Sequence, residues 1–418
     1  MGQPEKSEAK GLSPKEKIPH AAGAEAAAAR KNLSLEGNPP PSLRDKGGTA
    51  GTLQKREGEA QGASITDGNR IRPSQKDVRN EFGPDKVEYH CLNNLLRIDE
   101  HLSPEVKKRA LDNTALLNAC ADLSQGEKEK CFYQASRLLI DNASSIYSPE
   151  QCGQIADQLI WNMAHPERTE QGSHPSCPTN PIRSCLMYEQ PSLAAKLIVD
   201  VATTGQYITA DGTIIRPKAD SLKPGREESN FNPQTAYRTL PGQIWDVTAA
   251  NIYWQRKQGL SNGVRTDHSS TVFTTDGTMD IYQQITGKDE RGRILIARSA
   301  GGLSNKDISR YSNFPEFQTA MSRGPWPKIL AVHTSQSPFF EELGSPSANS
   351  GKLVWHNVVI PKPPQQNGMT QLDNSWLIGD DHIAPNKQMS LAAIYNATLG
   401  PVSRVRQPQF QNYPYRRR

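Results

Sequence analysis

Aromatic residues are missing from the first 81 positions of this 418-residue chain, since its 9 Phe, 6 Trp and 12 Tyr all lie at or after Phe82. The same stretch has no Cys and carries scattered charges of both signs. A segment of this composition cannot bury enough apolar surface to offset the entropy of ordering it. We therefore predict a disordered tail over residues 1–81, and we expect the core to form in the 337 residues that follow.

Long hydrophobic runs are also missing, so no segment approaches the roughly 20 apolar residues of a membrane span. The segment Met1 to His20 is charged throughout and lacks the apolar region of a secretory signal. These absences make the cytoplasm the expected location, with export by another route left open. They leave the oligomeric state undetermined.

Several motifs that would identify a cofactor or metal site are lacking. The six cysteines form no CxxC pair, and the sequence holds neither HExxH nor GxxxxGK[ST]. Zinc ribbons, thioredoxin-type sites, zincins and P-loop enzymes are therefore not indicated. We expect no cofactor and no metal.

The net charge of +5 comes from the two ends of the chain. Residues 1–80 have a net charge of +4, and the residues after Asp381 add six basic side chains and no acidic ones. The part between them is slightly acidic, whereas a nucleic-acid-binding protein needs a basic face on its folded body. We expect no nucleic-acid partner, and we interpret residues 401–418 as a basic flexible tail.

Residues 82–165 are predicted to form a small helical module. Three N-terminal helix signals occur there: Ser103-Pro104-Glu105, Ser124 with Glu127, and Ser148 with Gln151. Apolar residues follow each signal at helical spacing. Within these runs, Cys120, Cys131 and Cys152 are predicted to be small buried apolar side chains.

Residues 166–400 are predicted to form an α+β domain, because helical patterns come first and strand patterns follow. The pattern indicates helices over 192–202, 244–256 and 390–398, and a hairpin around Ala210-Asp211-Gly212. Strands are predicted over 271–274, 293–297, 328–333, 352–360 and 370–376.

Cys177 is the candidate nucleophile of this domain. A thiol becomes a reactive thiolate at a helix N-terminus or beside an imidazolium, and Pro178 suits the first position of a helix that Cys177 would cap. His356 opens a strand-like run and is followed by Asn374, so the two are candidates for an acid/base and for the group that orients it. Gln171 lies six residues before Cys177 and offers an amide to a developing oxyanion.

This order of residues resembles the papain-like cysteine peptidases. Gln171-Gly172-Ser173 followed by Ser176-Cys177 is similar to the family's Q-G-x-C-G-S-C-W, and His356 with Asn374-Ser375-Trp376 is similar to its His and N-S-W-G elements. The resemblance implies a papain-like α+β fold with Cys177 on a helix packed against a barrel-like half. It implies a Cys177–His356–Asn374 site with Gln171 as oxyanion donor, and a peptide or protein substrate.

The sequence departs from the family pattern around these residues. Pro178 follows Cys177 where the family has an aromatic residue, and Leu377 replaces the glycine after N-S-W. His356 lies 179 residues after Cys177, beyond the family's spacing of ~130–150. An enzyme is favoured, namely a divergent cysteine peptidase or a related thiol-dependent amide hydrolase or acyl transferase.

Other interpretations stay open at this point. In the simplest one, Cys177 and Cys185 are structural cysteines, either unpaired or joined in a disulfide. In another, Asp373 replaces Asn374 as the orienting group, as in a transglutaminase-like enzyme. In a third, the domain has lost activity and serves as an interaction module. Rival bases at His268 and His333 have weaker support, because neither is followed by an orienting carboxamide at strand spacing. A rival metal site at Asp380-Asp381-His382 also has weaker support, because a lone acidic–His cluster in a loop is more often solvated.

Overall fold

The computed structural model of the chain describes residues 66–67, 70–71, 86–172, 174, 176–233, 237–258, 275–297, 309–333, 355–373 and 387–399. Residue contacts divide the chain into two units, 1–59 and 60–418, and every described residue belongs to the second. The described part of the predicted tail is a pair of two-residue strands, β1 (Thr66–Asp67) and β2 (Arg70–Ile71).

Four helices follow: α1 (Val87–Ile98), α2 (Pro104–Ala119), α3 (Gln125–Ile140) and α4 (Pro149–Ala164), of which the last three begin where the capping signals predict. Ser103, Ser124 and Ser148 each accept a hydrogen bond from the backbone three residues later, as an N-cap does. All three predicted helix starts are therefore confirmed. Cys131 and Cys152 are buried as predicted, whereas Cys120 caps the C-terminus of α2 and is only partly buried.

The capping box predicted for Ser124 with Glu127 is not completed, whereas one forms at Ser148 with Gln151. Gln151 returns a bond to the Ser148 amide at 3.0 Å, which completes the box at α4. Glu127 instead accepts a hydrogen bond from the Ser192 amide at 2.9 Å. The carboxylate of Glu127 thus makes a tertiary contact to Ser192 in place of the local bond to the N-cap backbone.

The middle of the chain is mainly helical. Its helices are α5 (Asn180–Glu189), α6 (Pro191–Thr204), the one-turn helices α7 (Ala219–Leu222) and α8 (Arg226–Ser229), α9 (Leu240–Gln258) and α10 (Thr275–Thr286). Strands β3 (Tyr207–Ile208) and β4 (Ile214–Ile215) pair as the predicted hairpin, with Gly212 at a φ of 85° in its turn. Helices 192–202 and 244–256 are confirmed, whereas α10 was not predicted. The strand predicted over 271–274 lies outside the described residues.

A four-stranded mixed sheet follows, in the order β6-β5-β7-β8. Its strands are β5 (Ile294–Ala297), β6 (Ser309–Tyr311), β7 (Lys328–His333) and β8 (Trp355–Ile360), and α11 (Phe314–Ser322) connects β6 to β7. β5 runs parallel to β6 and β7, whereas β7 and β8 are antiparallel. β9 (Met369–Leu372) pairs with β10 (Lys387–Ser390), which leads into α12 (Leu391–Thr398). The described strands thus form this sheet and hairpins, where a barrel-like half is predicted.

Helices cover both faces of the sheet. α5 packs against β7 and β8. On the other face, the ring of Tyr311 lies against Phe317 of α11 and Tyr395 of α12, with ring centroids 4.8 and 6.0 Å apart. β7 and β8 are consequently buried on both sides, which explains the nearly continuous apolar run of β7.

The helical segment and the later elements share one hydrophobic core. α3 packs on α6, α4 packs on α9, and a single cluster of buried side chains extends from Val87 to Ala397. The domain is therefore a mixed α/β structure with more helix than sheet. No helix among the described residues is long and apolar enough to span a membrane.

Candidate functional site

Cys177 lies in a turn before α5 and does not cap that helix, which corrects the predicted position. The amides of Thr179 and Asn180 both donate to the carbonyl of Ser176 at 3.0 Å, which closes the turn around Cys177. The helix starts at Asn180, with Thr179 as its N-cap and Pro181 in its first turn. The helix dipole acts mainly within the first turn, so it stabilises a Cys177 thiolate less than a capping position would.

The sulfur of Cys177 is buried, although the residue as a whole is partly exposed. Burial raises the pKa of the thiol to about 12; a backbone hydrogen bond opposes this, and the nearby carboxylate of Asp246 adds to it. Reactive cysteines have a thiol pKa below the ordinary value. In this arrangement Cys177 is therefore a protonated thiol at neutral pH.

Strand β8 lies directly against the Cys177 turn. The side-chain amide of Asn357 donates a hydrogen bond to the carbonyl oxygen of Cys177 at 3.3 Å, between residues 180 positions apart. The residue before Asn357 is the predicted base, His356, which is buried. The structure thus brings the strand of the predicted base to the turn of the predicted nucleophile.

The strand register directs the two neighbours to opposite faces of the sheet. Successive side chains of a strand alternate in direction, so His356 and Asn357 extend to opposite sides. Asp373 pairs with Val359, which shares the face of Asn357, and its carboxylate accepts a hydrogen bond from Tyr188 of α5. Asn357 therefore lies on the α5 side, and His356 on the side covered by α11 and α12. The register itself does not direct His356 toward Cys177, and the pairing of the two stays a prediction.

Asp373, the alternative orienting residue, has partners on the α5 side of the sheet. Tyr188 donates to one carboxylate oxygen, and Gln371 donates to the other at 3.1 Å. Burial raises the pKa of Asp373 to about 6, while the bonds from Tyr188 and Gln371 oppose that rise. The carboxylate thus holds α5 to the sheet and shares no face with His356.

Gln171, the predicted oxyanion donor, lies buried in the segment before Cys177. Its side-chain amide donates to the carbonyl of His174 at 2.9 Å, which folds the segment back on itself. The imidazole of His174 in turn lies 3.7 Å from a carboxylate oxygen of Glu228 and 3.9 Å from one of Glu227. This hydrogen bond uses one of the protons of the Gln171 side-chain amide, the group predicted to donate to the oxyanion.

The structure also bears on the other candidates. Cys177 and Cys185 are both free thiols, so the pairing in the simplest interpretation is not formed. His333 ends β7, and its ring lies against Trp355 with centroids 5.1 Å apart. Asn374, Trp376, His268 and the segment 380–382 lie outside the described residues.

Sequence reasoning missed a buried charged cluster beneath the Cys177 turn. It consists of Arg183 of α5, Glu228 of α8, Arg238, and Asp246 of α9, all nearly inaccessible to solvent. Arg238 pairs with Glu228 at 2.7 Å and with Asp246 at 3.5 Å. The local signal in the sequence is Asp246, an acid in the otherwise uncharged start of α9. A buried charge at such a position needs a partner of opposite charge.

Comparisons with protein-family models, curated proteins and solved structures found no match to this chain. Within the described residues, no group of three or more His, Cys, Asp or Glu side chains is arranged to hold a metal ion.

Proposed function

We propose that the domain is a thiol-dependent amide hydrolase or acyl transferase of the papain-like kind, with Cys177 as its nucleophile and a peptide or protein as its substrate. One observation carries the proposal. The hydrogen bond from Asn357 to the Cys177 carbonyl joins a turn that precedes a helix to the strand of the predicted base. Papain-like enzymes need these two elements side by side.

The reaction would proceed through a thioester. The Cys177 sulfur attacks the carbonyl carbon of the scissile amide, and the imidazole of His356 accepts the thiol proton and delivers it to the leaving amine. Water, or an acceptor amine in acyl transfer, then attacks the thioester and releases the thiol. Gln171 and the Cys177 amide would donate to the developing oxyanion, and Asn374 would orient the imidazole.

This chemistry requires a lower thiol pKa than about 12. An imidazolium within hydrogen-bonding distance of the sulfur provides such a shift, because it stabilises the thiolate directly. The proposal therefore includes an arrangement in which His356 reaches the sulfur, and the experiment has to report on that pair.

Hydrolysis of a mixed fluorogenic peptide library by the purified chain tests the proposal. Cys177→Ser and His356→Ala should each abolish cleavage, because nucleophile and base act as a unit. Cys185→Ser is the matched control, since Cys185 is another buried free thiol in the same region and should leave cleavage unchanged. Cleavage that survives Cys177→Ser would refute the assignment.

A second candidate function, an interaction protein without catalysis, is favoured by the buried and protonated thiol. An iodoacetamide-type probe at neutral pH separates the two. Selective labelling of Cys177, lost in Cys177→Ser, supports the enzyme, whereas equally slow labelling of all six cysteines together with absent cleavage supports the interaction protein.

A further inference from the structure

Two consecutive residues of α9 hold Thr179, which lies two positions after Cys177. The indole nitrogen of Trp245 donates to the Thr179 carbonyl at 3.0 Å, and the Thr179 hydroxyl donates to a carboxylate oxygen of Asp246 at 3.0 Å. Trp245 is fully buried and Asp246 nearly so. The carbonyl and the hydroxyl of Thr179 are thus both held by consecutive residues of one helix.

The Thr179 hydroxyl is also within hydrogen-bonding distance of the turn itself. It lies 3.1 Å from the carbonyl of Ser176, the group that closes the turn around Cys177, and shares its single proton between this carbonyl and Asp246. A displacement of Asp246 would therefore be transmitted through one hydroxyl to both ends of the turn. Residues that fix a reactive group through buried contacts of this kind determine its geometry without touching substrate.

Charged side chains from several elements surround Asp246. Arg238 contacts it at 3.5 Å, Arg183 of α5 lies close enough to stabilise its charge, and Glu228 of α8 shares Arg238. His174 faces Glu228 on the far side of this cluster. Burial raises the pKa of Asp246, and the two arginines oppose that rise.

We propose that Asp246 is a positioning residue for Cys177, which holds the turn through Thr179 and places a buried carboxylate at the turn that carries the thiol. The inference rests on the proposed function for its significance, although its measurements do not require activity. The charge disfavours the thiolate and is one cause of the raised thiol pKa of Cys177. Asp246 thus fixes where the thiol lies and restrains its reactivity.

Asp246→Asn tests the charge, because asparagine retains an oxygen for the Thr179 hydroxyl. The measurement is the rate of Cys177 alkylation by iodoacetamide from about pH 8 to 10, followed by mass spectrometry of the Cys177 peptide. With the charge removed, the line of log rate against pH should move to lower pH by about one unit, which is roughly a tenfold faster reaction at each pH. Asp157→Asn is the matched control, since Asp157 is a buried aspartate paired with Arg109 on a different helix.

Thr179→Val tests the holding contact, because valine has the same shape and lacks the hydroxyl. Amide hydrogen exchange of residues 176–180 should become at least several-fold faster in Thr179→Val, while Asp246→Asn and Asp157→Asn leave it near the wild-type rate. This variant keeps every charge of the cluster, so it remains informative if Asp246→Asn does not fold.

The outcomes separate this inference from the proposed function. A folded Asp246→Asn variant with wild-type alkylation rates, or Thr179→Val with unchanged exchange, would overturn the role of Asp246. If the alkylation line moves as expected but the chain cleaves no peptide, the inference stands and the proposed function fails. If cleavage depends on Cys177 but the alkylation line does not move, the proposed function stands and the inference about Asp246 fails.

Discussion

The side-chain amide of Asn357 donates to the carbonyl oxygen of Cys177 at 3.3 Å, and this bond joins the turn before α5 to the beginning of β8. It connects two elements that lie 180 positions apart in the sequence. The bond also determines which face of β8 meets the thiol turn, because the strand alternates its side chains.

Asn357→Leu should loosen this junction. Loss of the bond leaves the Cys177 carbonyl without this donor, and we expect the free energy of unfolding to fall by about 1 kcal/mol. Alkylation of Cys177 should become faster at the same time. Urea unfolding and alkylation rates measure the two effects, with Gln366→Ala in the exposed turn before β9 as a control that should change neither. Equal stability of the two variants would show that the bond contributes nothing.

Two glycines near helix N-termini should respond in opposite ways to alanine. A Cβ at Gly242 of α9 would lie 2.3 Å from a guanidinium nitrogen of Arg183, whereas a Cβ at Gly126 of α3 meets nothing within 4 Å. Gly242→Ala should therefore destabilise the fold by about 1–3 kcal/mol through overpacking. Gly126→Ala should stabilise it by about 0.5 kcal/mol, because alanine has the higher helix propensity. Thermal unfolding compares them, and a destabilised Gly126→Ala would contradict the explanation.

Asp373 should make stability fall as the pH rises. Its pKa is about 6 in the folded state and near 3.8 in the unfolded state, so the folded state binds the proton more tightly. The contribution is fully present below about pH 4 and is lost by about pH 6, at a cost of roughly 3 kcal/mol at most.

Asp373→Asn removes that pH dependence, which makes the difference from wild type informative. Urea unfolding at pH values of about 4, 5 and 7 should show the variant gaining stability relative to wild type as the pH rises. A difference that stays constant over this range would refute the raised pKa.

Glu127→Ala should cost more stability than the loss of an ordinary helix-start acid. Its carboxylate accepts from the Ser192 amide and so ties α3 to α6. We expect a loss of about 1.5–3 kcal/mol, as for a hydrogen bond to a charged group. Glu150→Ala, an exposed acid in the first turn of α4, serves as the control and should cost a few tenths of a kcal/mol. Similar losses in the two variants would mean that the Ser192 contact is unimportant.

The sequence predicts those features that depend on neighbouring residues. Ser103, Ser124 and Ser148 mark helix starts because an N-cap bond spans only three residues. The run 328–333 coincides with β7, since a strand buried on both faces is apolar throughout. Local chemistry is sufficient in these cases.

Features set by distant partners could not be predicted in the same way. Glu127 accepts a hydrogen bond from the Ser192 amide in place of the bond within its own helix start. The buried Asp246 is paired with Arg238, which lies outside α9. The direction of His356 depends on the register of β8, because a shift of one residue exchanges the two faces of a strand. The sequence therefore names candidate residues for a site but does not predict their relative geometry.

The long separations across α5 have a consequence for biosynthesis. Tyr188 meets Asp373 185 positions later, and Glu189 meets Arg293 104 positions later. During synthesis the sheet-facing side of α5 must therefore stay in water until β7 and β8 have left the ribosome, which exposes apolar surface to aggregation in the meantime. A ribosome stalled before residue 355 would carry a chain whose Cys177 turn is uncovered on the side where Asn357 binds.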